Sequence, residues 1–132
     1  MRFDCDSTTP DSMISALKSF AETKSRNPGR FIAILGDTAM LGAEHERWHR
    51  EYGQLIGELG YDAVLTLGPG SLLTCEEAQK AGIEAHGYID RDAFEEAIRS
   101  FIRPGDNIIF KSSPKGGADL IPTVEHLFGR IR

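Results

Sequence analysis

Short apolar runs alternate with amphipathic stretches along most of the chain. Phe31-Ile32-Ala33-Ile34-Leu35 and Ala63-Val64-Leu65-Thr66-Leu67 are continuous runs, closed by Gly36 and Gly68. Such runs suit strands buried on both faces, as in a parallel sheet. Phe3 to Cys5, Ile83 to Ile89 and Asn107 to Phe110 read as shorter or weaker strands. Between the runs, apolar residues recur at helical spacing. They are Met13, Leu17, Phe20 and Ala21; Trp48, Tyr52, Leu55, Ile56 and Leu59; Phe94, Ile98, Phe101 and Ile102; and Leu120, Ile121, Val124, Leu127 and Phe128. Thr9-Pro10 reads as an N-cap followed by proline in the first turn, Asp90 as a second cap, and Gly60 as a helix stop. Thr74 and Glu77 have capping-box spacing and predict a short helix that starts there and ends at Gly82.

Strands alternating with helices predict an α/β fold of three layers. It is Rossmann-like, a mostly parallel sheet with helices on both faces and right-handed crossovers. The 132 residues show no repeat or linker and are expected to form one domain over 1–132. In such a fold, ligands sit outside the carboxyl ends of the strands. The loops to inspect are Asp4 to Thr9, Gly36 to Gly42, Gly68 to Ser71 and Lys111 to Gly117.

Composition removes several function classes. The net charge is −5, with Lys and Arg scattered, which argues against a nucleic-acid binder. Crossing a membrane takes about 20 apolar residues, and Phe31 to Leu35 is the longest such run. Cys5 and Cys75 are far apart and form no C-x-x-C pair, and MRFDCDSTTP carries no apolar signal region. Both features fit reduced thiols in a cytoplasmic protein.

Candidate chemistry is sparse. No G-x-x-x-x-G-K-[ST] phosphate loop or G-x-S-x-G elbow occurs. Asp4, Asp6 and Lys111 resemble part of a phosphate-accepting receiver, but the middle strand ends Leu65-Thr66-Leu67-Gly68, without the acceptor aspartate. His45-Glu46-Arg47-Trp48-His49 reads H-E-x-x-H, which on a helix can hold zinc and supply a general base. On a helical wheel, both histidines fall at the edge of the Trp48 stripe, with Arg47, Arg50, Gln54 and Glu58 opposite. That placement fits a zinc site and equally fits two interface histidines. The third histidine of the longer zinc pattern is missing, and Glu76 and Glu77 belong to another predicted helix. No metal ligand is therefore assigned.

The edge loops, taken together, resemble the C-terminal domain of the Mur ligases, closest to the UDP-N-acetylmuramoyl-tripeptide–D-alanyl-D-alanine ligases. That family opens this domain with D-x-Y-N-A-N-P-x-S-M. Asp4-Cys5-Asp6-Ser7-Thr8-Thr9-Pro10-Asp11-Ser12-Met13 keeps the first Asp and the P-D-S-M ending. The family's L-G-D-M-x-E-L-G and following H-x-x-x-G are matched by Leu35 to Gly42 and by His49 with Gly53. Its P-G-D, strand and K-G-S-R are matched by Pro104-Gly105-Asp106 and Lys111-Ser112-Ser113-Pro114. Asp6 stands for the family's Tyr, Ser7 and Thr9 for its two Asn, Met40 for a Glu and Pro114 for an Arg. These departures remove stacking surface and amide groups and leave the acceptor amine open.

The resemblance implies an ATP-dependent amide ligase of peptidoglycan precursor synthesis. ATP and Mg2+ would be held by preceding N-terminal and central domains, and this chain alone would bind neither and be inactive. It would close over ATP and help position D-alanyl-D-alanine, or another small peptide amine. By position, Asp4, Ser7, Thr9 and Pro10 would face the nucleotide, and Asp37, Lys111 and Ser113 would line the acceptor side. The first strand begins almost at Met1, so a domain cut from a longer ligase is expected. The reading from another class is a free-standing, non-catalytic α/β module that binds a nucleotide or a partner.

Overall fold

The computed structural model describes residues 9–39, 41–113 and 119–128, together with the backbone of residues 2–4. Its strands are β1 (Arg2–Asp4), β2 (Phe31–Gly36), β3 (Ala63–Leu67), β4 (Glu84–Tyr88) and β5 (Asn107–Lys111). Its α-helices are α1 (Pro10–Ala21), α2 (His45–Leu59), α3 (Pro69–Lys80), α4 (Arg91–Phe101) and α5 (Ile121–Phe128). The strands form one sheet in the order β1-β5-β2-β3-β4, and every pairing is parallel.

The continuous apolar runs are what a sheet covered on both faces requires. Every residue of β2 and β3 is buried. Alternate residues serve opposite cores, because successive side chains on a strand point to opposite faces. Phe31, Ala33 and Leu35 join Met13, Leu17 and Phe20 of α1, Tyr52 and Ile56 of α2, and Cys75 and Ala78 of α3. Ile32 and Ile34 join Phe94 and Ile98 of α4 and Val124 of α5. The split follows crossover handedness. Connections running from β1 towards β4 place α1, α2 and α3 on one face, and the return from β4 to β5 places α4 on the other.

One predicted element starts in the wrong place. The helix expected to begin at Thr74 begins at Pro69. Thr74 is buried mid-helix, where its hydroxyl donates to the His49 carbonyl at 2.7 Å. The true cap lies on another strand end, which a local capping-box pattern cannot reveal. Arg50 and Gln54 lie outside the core, as expected, and reach across to Glu77 of α3. The Thr9 cap is as expected, with reciprocal bonds to Ser12 that close a capping box on α1.

The Pro104-Gly105-Asp106 turn sits at the amino end of the sheet, away from the expected ligand edge. There the Asp106 carboxylate accepts two hydrogen bonds from the Arg30 guanidinium, at 2.9 and 2.7 Å. The Arg30 hydrogen bond, foremost, holds the Asp106 carboxyl below its usual range. This turn is a structural staple between β2 and β5.

Candidate functional site

At the carboxyl edge, the sheet reverses its winding between β5 and β2. The chain leaves β2 towards the α2 face and leaves β5 towards the α5 face. Such a switch point opens a crevice where α/β proteins bind ligands. Three strand ends lie side by side there. Asp4 of β1 is in register with Lys111 of β5, and Lys111 with Leu35 of β2. Beyond them, the Ser113 N–H donates to the Asp37 carbonyl at 3.4 Å. Lys111, Ser112, Ser113 and Thr38 are all buried. The sequence-derived candidates Asp37, Lys111 and Ser113 therefore converge. Asp4 reaches the same edge by its backbone; its side chain and Ser7 lie outside the described residues. Thr9 and Pro10 open α1, and the Thr9 hydroxyl is committed to the helix cap.

Asp37 holds a second junction, between β2 and α3. Its Oδ1 accepts the Ser71 N–H at 2.7 Å and the Ser71 hydroxyl at 2.6 Å, and its Oδ2 accepts the Gly70 N–H at 2.9 Å. A carboxylate on the first N–H groups of a helix satisfies orphan donors and meets the positive end of the helix dipole. Asp37 is thus the cap of α3, supplied from another strand. No local pattern links Asp37 to Ser71, so the sequence does not reveal that the two loops are joined.

The H-E-x-x-H histidines lie against this junction. His49 is buried, deeper than the stripe edge expected for it. Its Nδ1 contacts the His45 carbonyl at 2.7 Å and must donate, so Nε2 accepts the Thr38 N–H at 3.1 Å. Burial, the largest influence, pushes the His49 pKa down from its ordinary value of 6.5. Thr38 Oγ1 also meets the Tyr52 hydroxyl at 3.0 Å, and burial pushes the Tyr52 pKa up to about 12. His45 is half-buried one turn before His49, with the ring centroids 4.3 Å apart. Glu76 and Glu77, the acids weighed as third zinc ligands, instead pair with Arg50 and Lys80. The carboxylate that does approach is Asp37, whose Oδ1 is 3.9 Å from His49 Nε2.

A family model described as "Mur ligase, glutamate ligase domain" matches residues 2–114. The chain belongs to the Mur ligase family. The UDP-N-acetylmuramoyl-tripeptide–D-alanyl-D-alanine ligase of Synechocystis sp. is 27% identical over 107 residues, covering 81% of this chain and 23% of the relative. The ligase of the same name from Mycobacterium leprae is 28% identical, covering 98% of this chain and 28% of the relative. This Mur ligase domain therefore spans only about a quarter of the relatives it matches. Two solved structures share its fold. MurF of Thermotoga maritima, in complex with ADP, has a TM-score of 0.67 at 19% identity and covers 95% of this chain and 26% of its own. MurF of Acinetobacter baumannii has a TM-score of 0.77 at 16% identity and covers 97% and 28%. No helix among the described residues of the Mur ligase domain is long and apolar enough to cross a membrane.

The Mur-like motifs now have physical content. In H-x-x-x-G, His49 carries the Thr74 hydroxyl on its carbonyl, and Gly53, one turn later, lets α2 and α3 touch. In L-G-D, Asp37 fastens α3. Both act within the β2–α2–α3 corner of the Mur ligase domain.

Proposed function

We propose that this chain is the closing domain of an ATP-dependent amide ligase of the MurF type, acting on UDP-muramoyl peptides. The observation that carries this reading is the side-by-side arrival of Asp4, Lys111 and Asp37 at one sheet edge, from neighbouring strands of a Mur ligase fold. In the proposed reaction, the amine nitrogen of the acceptor attacks an acyl phosphate made from ATP elsewhere in the longer protein, and inorganic phosphate leaves.

This chain's share is to place the amine and exclude water, which lowers the entropic part of the barrier. Lys111 and Ser113 line the acceptor side. Asp37 stands there as a positioning residue, since its carboxylate is already engaged by Gly70 and Ser71. Asp4, with Ser7, Thr9 and Pro10, faces the nucleotide. ATP and Mg2+ belong to the preceding N-terminal and central domains. Among the described residues, none forms a triphosphate cradle. The start of α3 would be the natural anion site after a strand, but the Asp37 carboxylate fills it.

The test uses the full-length ligase with ATP and a UDP-muramoyl tripeptide. Phosphate release is expected to begin when D-alanyl-D-alanine is added, and Lys111→Ala is expected to raise the KM for the acceptor more than it lowers kcat. Absence of release with any amine would leave the non-catalytic binding module as the better reading.

A further inference from the structure

We propose that Asp37, His45 and His49 form a binding site for a zinc-class divalent cation at the β2–α2–α3 corner. These three residues offer ligand atoms that all lie within 4.8 Å of one another, the one such group of three among the described residues. Two imidazoles and a carboxylate suit Zn2+, Co2+ or Ni2+ rather than Mg2+, which prefers oxygen donors and waters.

Several features prepare the ligands. His49 donates its Nδ1–H to a backbone carbonyl, which fixes the tautomer and leaves the lone pair on Nε2, the outer-shell arrangement of metal-bound histidines. His45 sits one turn away on the same helix face, as the two histidines of a helical pair must. Neither of its ring nitrogens has a hydrogen-bond partner among the described residues. Asp37 is oriented by the Gly70 and Ser71 N–H groups and the Ser71 hydroxyl. Gly70 also keeps the space open: a Cβ there would lie 2.4 Å from His45 Nε2 and 3.0 Å from His49 Cε1.

Ligand atoms around zinc sit about 2.0–2.2 Å from the ion. The three ligand atoms, now within 4.8 Å of one another, must therefore draw together around the ion, with the half-buried His45 ring the less enclosed of the two imidazoles. His49 Nε2 exchanges the Thr38 N–H for the ion, and a metal-bound water in the open fourth position takes that N–H in turn. The ion would neutralise Asp37 and clamp β2 to α2 beside the crevice. No hydrolytic role is assigned to it.

The test needs only the 132-residue chain and reads apart from any ligase assay. Titration with Co2+ is expected to give a visible d–d spectrum saturating at one equivalent, erased by Zn2+. Zn2+ is expected to raise Tm where Mg2+ does not. His45→Ala is expected to weaken Co2+ binding at least tenfold while leaving the metal-free Tm near that of the parent. His86→Ala, at an exposed Glu84 pair, is expected to leave binding unchanged. If His45→Ala does lower the metal-free Tm, His45→Gln is the second variant, with the same loss expected. Absence of a Co2+ spectrum with metal in large excess, or one-equivalent binding that survives both His45 variants, overturns the proposal.

Discussion

Gly53 of α2 lies directly beneath the Thr74 carbonyl of α3: a Cβ on Gly53 would sit 2.2 Å from that oxygen and 2.7 Å from Glu77 Cβ. The obstacle is backbone and cannot rotate away. Gly53→Ala must therefore push the two helices apart, with the buried Thr74–His49 hydrogen bond between them. The expected cost is about 3 kcal/mol. At roughly 3–5 °C per kcal/mol for a domain of this size, thermal unfolding should show a Tm lower by about 9–15 °C.

Asp37→Ala removes three charge-assisted hydrogen bonds to the start of α3. Hydrogen bonds to a charged group contribute about 1.5–3 kcal/mol each and are not additive. A loss of about 2–4 kcal/mol in urea unfolding is expected. Asp37→Asn keeps one acceptor oxygen and should lose about half as much. Equal midpoints for parent and Asp37→Ala would remove the capping role.

His49 gives the chain an acid-sensitive joint. Its folded pKa lies below its ordinary 6.5, so the unfolded chain binds the proton first as pH falls. Above that value both states are neutral and no stability is at stake. Below it, stability is lost as the solution becomes more acid. Tm is expected to fall between about pH 7 and 5, more steeply than in His49→Gln. A parallel pair of curves would show that His49 is not responsible.

Glu77 contributes in a lower window. Hydrogen bonds from Lys80, Gln54 and Arg50 bring its carboxyl down to about 2, from an ordinary 4.5. A depressed carboxylate stabilises the fold above its unfolded value, and that stability disappears as pH falls towards the folded one. Glu77→Gln is expected to lower Tm at neutral pH and to flatten the acid side of the Tm profile below about pH 4.5. Acid titration by circular dichroism reads both effects.

The sheet was legible in the sequence because buried parallel strands write themselves as unbroken apolar runs. Phe31 to Leu35 and Ala63 to Leu67 needed no partner to be recognised. The helix at Pro69 was misplaced because its cap, Asp37, comes from a different strand, whereas the local Thr74–Glu77 spacing imitated a start. The convergence of Lys111 and Ser113 on Asp37 followed from topology and could be expected. His45 and His49 are visible as a pair in the sequence, but the carboxylate beside them is not. It lies upstream of them, where only the closure of the β2–α2–α3 corner could place it.

The slot next to β2 belongs to β5, and β1 reaches the sheet only by pairing with β5. During synthesis, β2, β3 and β4 with their helices can assemble from near neighbours. The first strand of this domain, however, must wait for its last. Until β5 arrives, one long apolar edge of β2 stays uncovered, a template for association with other chains. Closing such distant pairs is slow. A chain stopped before Asn107 is thus expected to aggregate, and finishing this domain is a race between elongation and self-association.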